Sequence, residues 1–316
     1  NSGLSRTITV DASGRFNAGN LPVGDYTVTS GSNKRNVTVT LGGNAAVAFG
    51  GGDATTLGTV TVTAAGMNTI DVNTVSTSTV LTAKELSRLP LTRSAEAVAL
   101  LAPGAVAGNS VFFGNVVSFG GSSVAENAYY INGMFTGNPM TNVGGYTLPY
   151  GSIEQQETYT GGYSAKYGRS NGGVINQVGK SGTNEFHFGA QVTWKPRSLQ
   201  EHAPDRYMPN DTLPAGYEYT DPTRAGKLFS RGGGNENWSL TYSGYVSGPL
   251  IKDRLFGFLS VEQEKNNSVS FPSSVANPRV LHDESKNPKL YAKLNWNIND
   301  NNLLEATYMA QNYKYG

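Results

Sequence analysis

The side chains best suited to acid–base or metal chemistry in this sequence are three histidines, His187, His202 and His282, and one close carboxylate pair, Glu154 and Glu157. The histidines are far apart, and none stands in an H-E-x-x-H or similarly paired spacing, so they form no metal-ligand set. Solvated side chains describe them better. Glu154 and Glu157 suggest acid–base work in principle, but Lys166 and Arg169 follow closely. Ion pairs with those cations suit carboxylates in a packed interior better than catalysis does. With no cysteine, thiolate metal sites, cysteine nucleophiles and disulfides are excluded. The nucleophile-elbow, P-loop and dinucleotide glycine motifs are absent as well. Catalytic residues, a metal and a cofactor are therefore not expected.

What remains is recognition by backbone and loops. Thr59, Val60, Thr61, Val62, Thr63 and Ala64 alternate β-branched residues between glycines. The run reads either as one more edge strand or as an extended peptide that pairs with the edge of a partner's sheet.

The elements that must position these groups are mostly strands. The first stretch, to about residue 50, alternates in short runs broken by Asp11-Ala-Ser-Gly14, Asn20 to Asp25 and Gly31-Ser-Asn33, each rich in turn formers. A glycine linker, Gly50 to Asp53, follows. Thr82 with Glu85 forms a capping box for a short helix stopped by Pro90. Ser94 to Leu101 reads as a second helix ended by Pro103-Gly104. Val116 to Phe119, Tyr129 to Gly133, Ile153 to Thr160 and Val174 to Val178 read as strands. Met134 to Tyr146 is a long glycine-rich loop, of the sort that is functional or mobile.

After Thr183 the period becomes two. Phe186, Phe188, Ala190, Val192 and Trp194 oppose Glu185, His187, Gln191, Thr193 and Lys195. Trp238 to Val246, Leu290 to Ile298 and Leu304 to Ala310 repeat the pattern, and Arg254 to Glu264 is a strand with blurred faces. Each run is about ten residues, enough to cross a bilayer as a tilted barrel strand. Connections alternate long (196 to 236, 266 to 288) and short (249 to 254, 299 to 302), as in outer-membrane barrels. A soluble sandwich also alternates, but it needs no such alternation of loops. No apolar run approaches the roughly 18 residues of a membrane-crossing helix. The net charge of +1 offers no signal for nucleic acid. The chain starts and stops within strand patterns, so a longer protein is expected.

Three resemblances rest on these residues. G-R-F followed by L-P-V-G-D-Y-T-V, around Arg15 and Tyr26, resembles the carboxypeptidase regulatory-like domain, a β-sandwich that carries no peptidase ligands here. Thr59 to Ala64 resembles the TonB box, departing at Gly58. The succession F-G-G, Y-I-N-G-M, then I-E-x-x-E-x-Y-T-G-G-Y-S-A-x-Y-G-R-x-x-G-G-V-I-N is similar to the plug domain of TonB-dependent outer-membrane receptors of the Oar-like branch, departing at Gly120 and Asn132.

The resemblance implies a mainly β fold. The end of a small N-terminal β-sandwich (1–50) leads to a linker with the TonB box (51–66), a mixed α/β plug (67–182), and the first strands, about five, of a large antiparallel transmembrane β-barrel (183–316). Such plugged barrels have about 22 strands. It implies a transporter in a Gram-negative outer membrane that imports an extracellular ligand with energy from the TonB complex. Residues 59–64 would bind the TonB periplasmic domain, and outer-membrane lipid and lipopolysaccharide would surround the barrel. The ligand, peptide or glycan, would meet outward loops carrying Asn109, Phe112, Asn138, Tyr146, Tyr207, Tyr217 and Tyr219. A surface adhesion or scaffold β-protein without transport is the rival reading. A secreted peptidase lacks the ligand set it would need.

Overall fold

A computed structural model describes residues 6–12, 14–19, 21, 23–39, 45, 47–49, 77–89, 94–108, 116–202, 204–208, 223, 225–271, 280–299 and 302–315. The chain divides into two compact units. One comprises Asn1–Phe186, Ser247–Phe258 and Lys293–Thr307; the other comprises His187–Val246, Leu259–Ala292 and Tyr308–Gly316.

In the first unit, β1 (Gly24–Ser30) and β2 (Asn33–Val39) form an antiparallel hairpin in continuous register from Gly24↔Val39 to Ser30↔Asn33. The core of this unit is a five-stranded mixed sheet. Its members are β3 (Thr77–Thr82), β6 (Ala128–Ile131), β7 (Met134–Phe135), β8 (Ile153–Gly161) and β9 (Val174–Gly179), in the order β3-β8-β9-β6-β7. β6 and β9 run parallel, and the other neighbours are antiparallel. Two short helices, α1 (Ala83–Leu86) and α2 (Ala95–Ala99), cover one face. The capping box read from Thr82 and Glu85 is present, and Ser94 caps α2 through the Ala97 N–H. Ala95 and Ala99 of α2 pack on Ile175, Tyr129, Val117 and Phe119. The last two belong to β5 (Val117–Phe119), which pairs with β4 (Ala105–Ala107). The segment Tyr163–Gly172 folds over the opposite face, where Tyr167 joins Tyr130, Tyr159, Ala128 and Val174.

Two glycines are required by close approach. A Cβ at Gly173 would lie 2.2 Å from the Phe119 ring. A Cβ at Gly182 would lie 2.5 Å from the Gly257 carbonyl oxygen and 2.7 Å from its nitrogen.

The alternating region forms a sheet in the order β10 (His187–Lys195), β13 (Glu236–Ile251), β14 (Leu255–Ser270), β15 (Leu281–Asn299), β16 (Asn302–Gln311). A small hairpin, β11 (Arg206–Tyr207) and β12 (Leu228–Ser230), sits in the connection after β10. β17 (Lys314–Tyr315) pairs with β15. The strands are longer than the runs of about ten read from alternation. β13 and β14 have 16 residues each, and β15 has 19. Pro249 and Pro288, which mark strand ends in a sequence reading, lie inside β13 and β15. The long connection expected over 266–288 therefore shrinks to the residues between Ser270 and Leu281.

Candidate functional site

The alternating sheet is inside out by the standards of a water-soluble protein. Along β15, Ser285, Asn287, Lys289, Tyr291, Lys293 and Asn295 are buried, while Leu294, Trp296 and Ile298, on the other face, are exposed. On β14, Ser260 and Glu262 are buried while Leu259 and Val261 are exposed. On β10, Phe188 and Trp194 are 84% and 66% exposed. Burying lysines while exposing leucines costs free energy in water. Against hydrocarbon, the same arrangement is the favourable one. The buried charges are matched. Lys289 Nζ lies 2.9 Å from Glu262 Oε1, and Lys293 Nζ lies 3.3 Å from Glu305 Oε1. The Asn295 amide also donates to Glu305. Sequence reasoning put these lysines on the polar face but missed their partners. The signal available was the acid at every other position on a neighbouring strand.

The plug-like sheet has a polar interior too. On the helix-covered face, the Gln156 amide donates to the Ala95 carbonyl at 2.8 Å and accepts from Gln177 at 2.8 Å. On the other face, the Asn176 amide donates to the Tyr167 hydroxyl at 3.0 Å. Glu157 sits on this face, 2% exposed. Its Oε2 has no hydrogen-bond partner among the described residues. Burial pushes the Glu157 carboxyl above the usual range, with the Tyr159 hydroxyl first and then Lys166 pulling the other way. Glu154 is also raised, first by burial, with Lys180 opposing. Burial likewise pushes the Tyr129 and Tyr159 hydroxyls well up.

The ion pairs expected of Glu154 and Glu157 with Lys166 and Arg169 are not among the described contacts. Both cations are exposed and lie over rings instead. Lys166 Nζ is 4.7 Å from the Tyr167 centroid, and the Arg169 guanidinium is 5.6 Å from that of Phe135. Arg169 adopts φ 61°, which turns the chain so that its side chain lies back over the sheet.

One contact in this unit joins the five-stranded sheet to β16. Asn132, at φ 48°, follows β6. Its side-chain oxygen accepts from the Gly179 N–H at 2.9 Å, and its amide donates to the Thr307 hydroxyl at 3.2 Å. Sequence reasoning noted Asn132 only as a departure from the usual residue.

Of the loop residues expected to meet a ligand, Asn138, Tyr146 and Tyr207 are described. Asn138 organises its own turn: its side-chain oxygen accepts from the N–H groups of Met140 and Thr141. Its neighbour Asn142 ties the loop down through the carbonyls of Ala125 and Asn127. Tyr146 is half-buried, and Tyr207 is exposed on β11. Asn109, Phe112, Tyr217 and Tyr219 lie outside the described residues, as does the whole segment Thr59 to Ala64.

The TonB-dependent Receptor Plug Domain family model matches residues 70–175. Over 109 residues the chain is 42% identical to the TonB-dependent transporter Oar of Myxococcus xanthus, which covers 34% of this chain and 10% of that protein. Among solved structures, the outer membrane transporter YddB from Escherichia coli aligns with a TM-score of 0.57 at 14% identity, over 76% of this chain and 33% of its own. A mutant of the ferric enterobactin receptor PfeA from Pseudomonas aeruginosa, solved with enterobactin, aligns with a TM-score of 0.50 at 15% identity, over 75% and 33%. At these identities the structural likeness concerns the fold alone. The chain spans about a tenth of the length of Oar and about a third of each of these structures. The family consists of transporters and receptors, and its compartment is the Gram-negative outer membrane, with the plug towards the periplasm. A matching plug model and an Oar-like sequence make residues 70–175 similar to the plug domain of TonB-dependent receptors, and a sheet with buried lysines follows it.

Proposed function

We propose that this chain works in a TonB-dependent transporter, which binds an extracellular ligand and imports it through a plugged barrel with energy delivered by the TonB complex. The observation that carries this reading is the pairing of a plug domain with a sheet that buries Glu262, Lys289 and Lys293 while exposing Phe188, Trp194, Leu259 and Trp296. Residues 59–64 add a strand to TonB's periplasmic domain. A load applied there arrives next at β3, the edge strand of the plug sheet, held by β8 from Thr77↔Gly161 to Thr82↔Gln155. Edge strands have one neighbour to lose, so β3 yields before β8 or β9. The ligand is a peptide or glycan met by the outward loops, including those of Asn138, Tyr146 and Tyr207. The protein performs no covalent chemistry. Residues 1–50, with the β1–β2 hairpin, form the end of a regulatory-like sandwich on the periplasmic side.

Deleting Val60–Thr63 in the full-length protein tests the reading. Uptake of a labelled ligand is lost while surface binding to cells persists. Uptake that survives the deletion defeats the transporter reading and leaves adhesion or scaffolding in its place.

A further inference from the structure

One face of the plug sheet carries a run of hydrogen bonds whose two ends are both acceptors. Glu157 of β8 and Asn176 of β9 stand opposite one another in the antiparallel register, so their side chains rise as neighbours from the same face. They are 2% and 1% exposed. The Asn176 side-chain N–H donates to the Tyr167 hydroxyl at 3.0 Å. The Tyr159 hydroxyl bonds with both Tyr167 and Glu157. Each phenol has one proton to donate. Tyr159 donates to Glu157, so Tyr167 donates to Tyr159. The run is therefore directed from Asn176 through Tyr167 and Tyr159 to Glu157. Its ends are the Asn176 side-chain oxygen and Glu157 Oε2, and neither has a hydrogen-bond partner among the described residues.

Two buried acceptors side by side are costly, and a single hydrogen between them satisfies both. A hard divalent cation would take about six oxygen ligands, more than the two that are free. No side chain packed around Glu157 supplies a compensating charge among the described contacts. From β3 come Ser78, which hydrogen-bonds to Glu157, and Val80, its register partner. From β6 comes Tyr130, stacked edge-on against Tyr167. In the overlying segment, the Tyr163 hydroxyl donates to the Ser170 and Gly172 carbonyls. Lys166 and Arg169 of that segment are exposed and lie over the rings of Tyr167 and Phe135.

We propose that Glu157 binds a proton at Oε2 and donates it to the Asn176 side-chain oxygen, closing the run into a ring inside the plug. Through Ser78 the ring also holds β3, the edge strand. While Glu157 is neutral, the buried face carries no net charge and β3 stays docked. When β3 is drawn away, water reaches Glu157 and the proton leaves. The carboxylate then opposes re-docking, because burying it uncompensated is costly. The edge of the plug is thereby linked to proton binding. The inference stands on the plug sheet alone, whether or not cargo passes.

The test uses full-length protein in phosphatidylcholine bilayer discs and follows the carboxylic-acid C=O band by infrared spectroscopy as pH is raised. Wild type keeps a band after the exposed carboxyls have ionised, and Glu157→Gln lacks it. Asn176→Ala removes the acceptor of the proton and lowers the midpoint of that band by about one pH unit, tenfold in proton affinity. Tyr159→Phe removes a donor to the carboxylate and raises the midpoint by a similar amount. Hydrogen exchange of the β3 amides, corrected for its intrinsic pH dependence, accelerates in wild type through the midpoint and shows no such step in Glu157→Gln. Glu157→Gln and Tyr159→Phe preserve volume, so they carry the test if Asn176→Ala fails to fold. A band lost together with the exposed carboxyls overturns the proposal in favour of a charged Glu157 bridged by water. Midpoints unmoved by the variants overturn the ring. A band that appears only when sodium is replaced by choline overturns the proton site in favour of a cation. Amides of β3 indifferent to the titration overturn the link to the edge strand.

Discussion

Glu262 and Lys289 meet at 2.9 Å on adjacent strands, with side chains 5% and 7% exposed. Glu264 lies 4.0 Å from the same ammonium. A buried pair of this kind is weak evidence for net stabilisation, but breaking it strands a charge. Lys289→Met should cost about 3–5 kcal/mol, and the double change Lys289→Met with Glu262→Gln should recover most of that loss. Urea unfolding of the full-length protein in lipid checks it. Additive losses in the double variant would show that the two groups do not act as a pair.

Gly182 joins the plug to the first strand. Gly182 is not among the positive-φ residues. Its constraint is space, because a Cβ would press on the Gly257 backbone. Gly182→Ala should therefore destabilise by about 1–3 kcal/mol through overpacking. Gly257→Ala should be tolerated, since its Cβ would meet only side-chain atoms of Leu250 and Leu294 at 3.6 Å or more. Thermal unfolding of the two variants separates them. A tolerated alanine at 182 would show that the close approach to Gly257 does not constrain this link.

Asn132 satisfies Gly179 and Thr307 with one side chain. Asn132→Asp keeps an acceptor for the Gly179 N–H and can still accept from the Thr307 hydroxyl. Asn132→Ala loses both bonds and leaves a residue ill suited to φ 48°. The alanine variant should expose the Gly179 amide to hydrogen exchange, by about tenfold for each 1.4 kcal/mol lost. The aspartate variant should stay close to wild type. Equal protection in all three would show that the contact holds nothing in place.

Glu157 makes plug stability depend on pH. Its carboxyl titrates higher folded than unfolded because burial disfavours the charge. In the window between the two pKa values the folded state binds more protons. Its contribution is therefore fully present below the unfolded value and is lost as pH rises through the folded one. Glu154 acts in the same direction. Glu157→Gln should raise plug stability at neutral pH and reduce the decline between acid and neutral pH. Unfolding followed at several pH values measures this. An unchanged slope would mean that Glu157 carries no titration.

The local features were legible in the residues. Thr82 with Glu85 announces a helix start, because caps are decided within one turn of chain; the second helix, read over Ser94 to Leu101, stands at Ala95–Ala99 with Ser94 as its cap. The opposition of Leu290, Leu294 and Trp296 to Lys289, Lys293 and Asn295 announces two faces, because side chains in a strand alternate whatever the neighbours. Strand ends were less legible. Pro249 and Pro288 read as breaks, yet both sit within strands. A proline removes one donor, and a long ladder absorbs that loss.

Sequence by itself determined that this protein is mainly β, that a glycine-rich mixed segment precedes a period-two region, and that the region has one apolar face. Tertiary structure decided which way that face points. Alternation is the same for a sandwich and a barrel, and only burial shows Lys289 and Lys293 inside and Trp194 and Trp296 outside. It also decided partners. Lys166 and Arg169 went to the rings of Tyr167 and Phe135 rather than to carboxylates. Asn132 found Thr307, 175 positions away. Contacts at such separations depend on the register of strands set by the whole sheet, and no local pattern encodes them.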